Sequence, residues 1–264
     1  MIDPFSNPLT YDSSIIGAFL KCEKCDTVYD ICLNDGRHTC PSETDYTKSI
    51  KLTGKKQHEG RKKNGKITLP TSGYSSLLPY QFPQVKEILE NIYSTEEEKP
   101  KTIVDANCHI GGDTLLFYSC FPDAKIIAID IDEKAVECLR LNLPPTAEQS
   151  IEIICTDSAK WILDGIGDSR KADLYYFDPP WPNGPSYINT EDVELYLSEK
   201  PITNIINYLL RGALTKKILL KVPKNFAYKK FKEECIGETK LFYIRKPQKN
   251  GVIAYGLVLI SLTS

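Results

Sequence analysis

The sequence predicts an α/β fold, a mostly parallel sheet covered by helices on both faces and closed by an antiparallel hairpin. Three observations carry this. From residue 83 onward, short β-branched runs alternate with stretches at helical spacing, the pattern of strand–helix–strand units with right-handed crossovers. Four successive runs end in acids, Asp105, Asp130, Asp157 and Asp178, as though each strand delivers a polar group to one rim of the sheet. The last two runs are joined by a short connection containing Asn250-Gly251, a dipeptide suited to a tight hairpin turn.

Composition bounds the possibilities. With 264 residues, 41% hydrophobic and 26% charged, the chain can bury a core and is not a disordered protein. Its net charge of −2 does not by itself mark a nucleic-acid binder. No apolar run is long enough to span a bilayer, and residues 1–5 lack the make-up of a signal sequence. Nine cysteines in such a chain read as thiols or metal ligands rather than a disulfide framework, which implies a reducing compartment, cytoplasmic or nuclear.

Residues 1–82 read as an N-terminal Cys-containing extension and basic linker, small beside the domain of residues 83–264. A short apolar segment at 15–20 leads into Cys22, Cys25, Cys32, His38 and Cys40. Cys22 and Cys25 have the spacing of half a zinc site, but no second pair follows, so a structural zinc and free thiols both stay open. Residues 48–66 then hold eight basic residues against one acid, Glu59, with three glycines interspersed. Such a segment is a solvated linker or a contact for RNA or DNA phosphates. Tyr74, Tyr80 and Phe82 follow in a proline-punctuated connector that borders the active site or is simply packed.

The regular part opens with Val85, Ile88, Leu89 and Ile92 at helical spacing, so a helix starts near residue 83. An acidic loop at 95–99 separates it from a strand at 102–106 and a helix at 112–119. Strand 125–130 and helix 133–143 repeat the unit, as do strand 151–155 and a short helix at 158–163. Strand 173–177 is followed by a helix at 202–212, strand 217–222, a helix at 226–235 and closing strands at 240–245 and 252–260.

The first strand runs into Val104-Asp-Ala-Asn-Cys-His-Ile-Gly-Gly-Asp-Thr114, which opens a helix. Glycines at Gly111 and Gly112 suit a nucleotide-binding turn, although the dinucleotide fingerprint G-x-G-x-x-G is absent. Asp130 stands 25 positions after Asp105 at the end of the second strand, where an acid can hold both hydroxyls of a ribose. The third strand ends in Cys155-Thr-Asp157-Ser158, whose acid can accept from an adenine amine. Each acid alone can be a helix N-cap; the series after successive strands points to a nucleoside cofactor. The candidate cofactor residues are therefore Asp105, Ala106, Asn107, Gly111, Gly112 and Thr114 from the first turn, Asp130 from the second, and Asp157 and Ser158 from the third.

The fourth strand delivers Asp178-Pro-Pro-Trp181, and two prolines end the ladder abruptly. The exocyclic amine of a nucleobase is a poor nucleophile, because its lone pair is delocalised into the ring. The Asp178 carboxylate and the Pro179 carbonyl could accept from its two N–H groups and favour a pyramidal nitrogen, with proline fixing φ in advance. Trp181 could stack on the base. Tyr187 and Lys221 complete the candidate substrate contacts, and no metal is assigned to the reaction.

In these motifs, with Ala128-Ile-Asp-Ile-Asp132, Pro182-Asn-Gly-Pro-Ser-Tyr187 and Lys221-Val-Pro-Lys-Asn225, the chain resembles the S-adenosylmethionine-dependent methyltransferases of the Rossmann-like class. Within that class it is most similar to the trimethylguanosine synthases, the RNA cap guanine-N2 methyltransferases. The resemblance covers residues 83–264 and implies a Rossmann-like methyltransferase sheet with a small N-terminal appendage. It implies S-adenosylmethionine as cofactor, with Asp105, Asn107, Gly111, Asp130 and Asp157 lining its pocket, and capped RNA as partner, with Trp181 stacked on the cap guanine. A cationic N7-methylguanine would add a cation–π attraction to that stack. The family usually has serine at the position of Asp178, glycine at that of His109, and Gly-Gly-Pro directly after the tryptophan. Asp-Pro-Pro-Trp is also similar to the adenine-N6 methyltransferases of RNA and DNA, and a non-catalytic RNA-binding subunit would keep the same fold.

Overall fold

Seven strands form the main sheet of the computed structural model, in the order 238–245, 253–261, 217–222, 174–177, 102–105, 125–130 and 151–155. The structure describes residues 19–21, 28–30, 81–165, 170–182, 190–246 and 252–262. Cys22, Cys25, Cys32, His38, Cys40, the basic segment 48–66, Tyr74, Tyr80, Tyr187 and Asn250-Gly251 lie outside these residues. Inside them, β1 (Phe19–Lys21) and β2 (Val28–Asp30) pair antiparallel as a small separate ladder.

The chain then runs α1 (Phe82–Ile92), β3 (Thr102–Asp105), α2 (Gly112–Cys120), β4 (Lys125–Asp130), α3 (Glu133–Asn142), β5 (Ile151–Cys155), α4 (Ser158–Asp164) and β6 (Leu174–Phe177). A two-stranded ribbon follows, β7 (Tyr196–Leu197) with β8 (Lys200–Pro201), and then α5 (Ile202–Arg211), β9 (Lys217–Val222), α6 (Tyr228–Glu234), β10 (Glu238–Arg245) and β11 (Ile253–Ser261). Strands β3, β4, β5, β6 and β9 pair in parallel. The closing hairpin is present, with one addition. β11 is antiparallel to both neighbours and lies between β10 and β9, so the reversed strand is an inner one.

Alternation along β6 shows why it reads as one apolar run. Leu174 and Tyr176 pack with Leu89, Leu116, Phe117 and Leu139 beneath α1–α3, while Tyr175 and Phe177 face Ile162, Ile205 and Leu209 beneath α4 and α5. A strand covered on both faces needs apolar side chains at every position. Each large side chain removed from water here contributes about 1.5–3 kcal/mol.

Two elements differ from the sequence expectation. The helix expected from 226 starts at Tyr228, because Phe226 is held in an extended bridge to Val193. The β7–β8 ribbon was not anticipated; its two-residue turn, Ser198-Glu199, has φ of 48° and 65°, the left-handed geometry usually supplied by Asn-Gly.

Gly111 illustrates a fold constraint inside the site motif. It caps α2 at φ 94°, and a Cβ there would lie 2.2 Å from Leu139 Cδ1. Its lack of a side chain thus serves the packing of α2 against α3. Gly111→Ala is expected to lower unfolding stability by roughly 1–3 kcal/mol, read from urea or thermal unfolding.

Candidate active site

Strand order reverses between β3 and β6: from β3 the chain winds outward through β4 and β5, and from β6 through β9. In doubly wound sheets the crevice above such a switch point, at the carboxyl ends of the strands, is the ligand site. The register sets Asp105 beside Tyr176, so Asp178 leaves β6 next to the β3–α2 turn. The Ala106 N–H bonds to the Tyr176 carbonyl at 2.9 Å and fastens the two strand ends together.

The β3–α2 turn is pinned from the side by β4. Cys108 N–H donates to Ile129 O at 2.9 Å, and His109 N–H donates to Asp130 Oδ2 at 2.8 Å. The second oxygen of Asp130 accepts from Asp132 N–H at 2.9 Å. His109 takes φ 46°, a left-handed conformation where glycine is the easier residue. Burial pushes the His109 imidazole below its ordinary value, against the pull of Asp130 and Asp132. Asp130 is thus partly exposed at the rim and also braces the turn.

Asp105 lies below this turn, fully buried. Thr114 Oγ1 donates to its Oδ2 at 2.6 Å. Burial, then the nearby charge of Asp113, push its carboxyl up to about 8, so it holds a proton at neutral pH. Two buried side-chain oxygens on this turn, Asp105 Oδ1 and Asn107 Oδ1, have no hydrogen-bond partner among the described residues. Buried polar groups are normally satisfied, so unsatisfied ones at a crevice floor fit a polar ligand. The residues present suit S-adenosylmethionine: an ammonium or hydroxyl could donate to Asn107 Oδ1, a hydroxyl could accept from the protonated Asp105, a carboxylate could meet the amides at the start of α2, and a ribose Asp130. Ile131, an apolar side chain 70% exposed beside Asp130, offers a face for a flat base. Its signal in the sequence is an isolated isoleucine between two acids.

Asp157 is placed differently. It caps α4, accepting from Lys160 N–H at 3.1 Å. Burial would raise its carboxyl, but hydrogen bonds from Ser198 and from the amides of Lys160 and Ala159 bring it below the ordinary range. Ser158 beside it is buried. The β7–β8 turn therefore reaches Asp157, a contact invisible in the sequence.

On the amine side, Lys221 has a role the sequence did not suggest. Expected among substrate contacts, it is 3% exposed, and its ammonium donates to Asp178 Oδ2 at 2.7 Å and to Asp113 Oδ2 at 3.4 Å. The same ammonium lies 5.1 Å from the centre of the Tyr255 ring. Burial alone would depress Lys221, but Asp113 and Asp178 together hold it above its ordinary value. Burial holds the Asp178 carboxyl above its ordinary value; Lys221 pulls it down and Asp113 pushes it up further. Pro179 is buried and Trp181 half-buried against the edges of both cores, so part of the indole is already packed. Asp113, inside the glycine motif, has no sequence signal that pairs it with Lys221.

The raised Asp105 carboxyl gives a pH dependence. The unfolded chain releases this proton in the ordinary carboxylate range and the folded chain only near pH 8, so stability is lost as pH rises through that window. Asp105→Asn removes the slope. Its melting temperature is expected to exceed that of the parent by roughly 5 °C or more at pH 8, and by little near pH 4.5, in paired thermal scans.

A family model described as RNA cap guanine-N2 methyltransferase matches residues 100–261. No curated protein matches the sequence. Among solved structures, the N-terminal domain of human METTL16 in complex with SAH is similar at a TM-score of 0.53 and 11% identity, over 75% of this chain and 76% of that one. A SAM-dependent methyltransferase from Agrobacterium tumefaciens is similar at 0.52 and 15%, over 74% of this chain and 65% of that one. These likenesses show the Rossmann-like methyltransferase fold. S-adenosylmethionine is accordingly the cofactor. With a model match across more than half its length, this chain belongs to the RNA cap guanine-N2 methyltransferase family.

Proposed function

We propose that this protein transfers a methyl group from S-adenosylmethionine to the exocyclic N2 amine of the 7-methylguanosine cap of RNA. The observation that carries the reading is the ion-paired carboxylate of Asp178, set at the carboxyl end of β6 beside the cofactor turn and followed by Pro179 and Trp181. The family match supports the cap as acceptor.

S-adenosylmethionine, when bound, supplies an electrophilic methyl on a sulfonium. The chain's own work is therefore alignment rather than strong-base catalysis. Asp178 and the Pro179 carbonyl hold the two N–H groups of the amine. Trp181 clamps the ring from its exposed side, and the cation–π attraction to N7-methylguanine adds on the order of 1 kcal/mol. The amine proton passes to Asp178 or to water after transfer. Asp130 holds the ribose, and Asp105, Ala106, Asn107, Gly111, Gly112 and Thr114 form the turn around the methionine end. Asp157 and Ser158 border the adenine. The basic segment 48–66 meets RNA phosphates.

One observation favours a second reading, methylation of adenine N6 in RNA or DNA: aspartate stands at 178, where the cap family usually has serine. The two readings separate with a labelled methyl donor. Label is expected at guanine N2 of an m7G-capped RNA; label only in adenine of uncapped RNA or DNA would establish the second.

Asp178→Ala is expected to lower kcat by roughly 10²–10³-fold while calorimetric affinity for S-adenosylhomocysteine stays unchanged. Trp181→Ala should abolish the fluorescence quenching by m7G nucleotide. Asp130→Ala should weaken cofactor binding by roughly 10-fold or more, since it loses hydrogen bonds to a charged group.

A further inference from the structure

A capped RNA is longer than the base it offers, so the nucleotides after the cap must leave the crevice across one side of its rim. On the reading above the cofactor takes the ends of β3, β4 and β5. The other side is made by β9, β11 and β10. β11 is antiparallel to both of its neighbours, so β10 runs in the direction of β9 and its carboxyl end reaches the same rim.

That rim carries an exposed ring. Tyr243 of β10 lies in one row with Gly256 of β11 and Val222 of β9. Phe177 pairs with Leu220, so Val222, two positions further, is level with Pro179. Three strand spacings separate that proline from Tyr243, roughly 14 Å. Tyr243 is 45% exposed, and the residue opposite it is a glycine, which has no side chain to cover the ring. Arg245, two positions on, is exposed as well. Its backbone is fixed, because Gln84 of α1 accepts from Arg245 N–H and donates to Arg245 O, each at 2.9 Å. The ladder shifts register between Ile244 and Arg245, an irregularity that re-aims a side chain at a sheet edge.

Charge completes the picture. From Thr239 to Ser264 the sequence holds Lys240, Arg245, Lys246 and Lys249 and no acid, in a chain whose net charge is −2. The α6 side of the same rim is different: Phe226 bridges to Val193, whose neighbours Asp192 and Glu191 are exposed acids. A phosphate chain is therefore drawn across β10 and away from α6. An aromatic face beside fixed cations is the arrangement that holds single-stranded nucleic acid without reading its sequence.

We infer that the carboxyl end of β10 is the subsite for the RNA nucleotides that follow the cap, with Tyr243 stacking on a base and Arg245 meeting a phosphate. This rests on the cap-guanine reading above and assigns the path of the substrate beyond the methylated base.

The test is methyl-transfer kinetics of the full chain on two acceptors, m7GTP and an m7G-capped RNA decamer. The parent protein is expected to show a lower KM for the decamer by roughly 10-fold or more. Tyr243→Ala should raise the decamer KM by roughly 5-fold or more, the loss of one stacked base, and Tyr243→Phe should restore it. Arg245→Gln should raise it too, and flatten the slope of log KM against log salt by about one; it keeps the inference testable if Tyr243→Ala does not fold. In neither variant should the KM for m7GTP rise in step. Lys240→Gln, whose parent ammonium lies 5.0 Å from the centre of the Phe242 ring on the opposite face, is the control and should move neither KM. Equal KM for both acceptors in the parent, or a decamer KM unmoved in the folded Tyr243 and Arg245 variants, overturns this inference and leaves the cap reading standing. So does a parent dimer that Tyr243→Ala splits with KM unmoved, which would give this edge to a second copy of the chain. Label confined to adenine of uncapped RNA overturns both.

Discussion

The register of β6 against β3 is the constraint on which the crevice depends. Val104 lies opposite Tyr175, and Asp105 opposite Tyr176. A slip of one residue would exchange the faces of Leu174 and Tyr176 with those of Tyr175 and Phe177, turning every side chain toward the wrong helical layer. Both faces are packed, so the register is fixed by two sets of contacts at once. The polar groups at the strand ends inherit that precision. They are held to each other through backbone bonds, such as Ala106 to Tyr176 and Cys108 to Ile129.

The strand and helix pattern from Phe82 to Ser261 was largely legible in the sequence, because β-branched runs and helical spacing carry it directly. The site was legible as a set of strand-end acids, but what each acid touches was not. Asp157 and Asp132 cap helices, whereas Asp130 accepts two loop amides, and nothing in residue type separates these cases. The Lys221 ion pairs join positions 43 and 108 residues apart, which no local pattern announces. The β7–β8 ribbon escaped notice because Ser198-Glu199 is not a dipeptide associated with left-handed turns. Gly111 was legible as a glycine that matters, although its tightest demand comes from Leu139.

A buried cation between two carboxylates is an expensive arrangement in a protein interior, since each charge must be taken out of water. Three well-packed apolar side chains would often be at least as stable. Retaining such a cluster at the mouth of a ligand crevice is what a site does when charge state matters more than stability. The left-handed backbone at His109 belongs to the same class of feature. It is a local strain on the order of 1 kcal/mol, held in place by bonds to Asp130 around it.

The position of β11 has a consequence for how the molecule assembles. β11 follows every other described strand in the chain yet lies inside the sheet, so β9 has an open edge and β10 no partner until it is made. During synthesis the parallel half can form first, with β9 presenting an open edge that carries Lys221. β10 pairs with no strand of the sheet but β11, so β11 both joins β10 to the sheet and brings Tyr255 over the buried ammonium. Loss of β11 would therefore open one edge of β9 and leave β10 with no strand to pair with, a state prone to self-association.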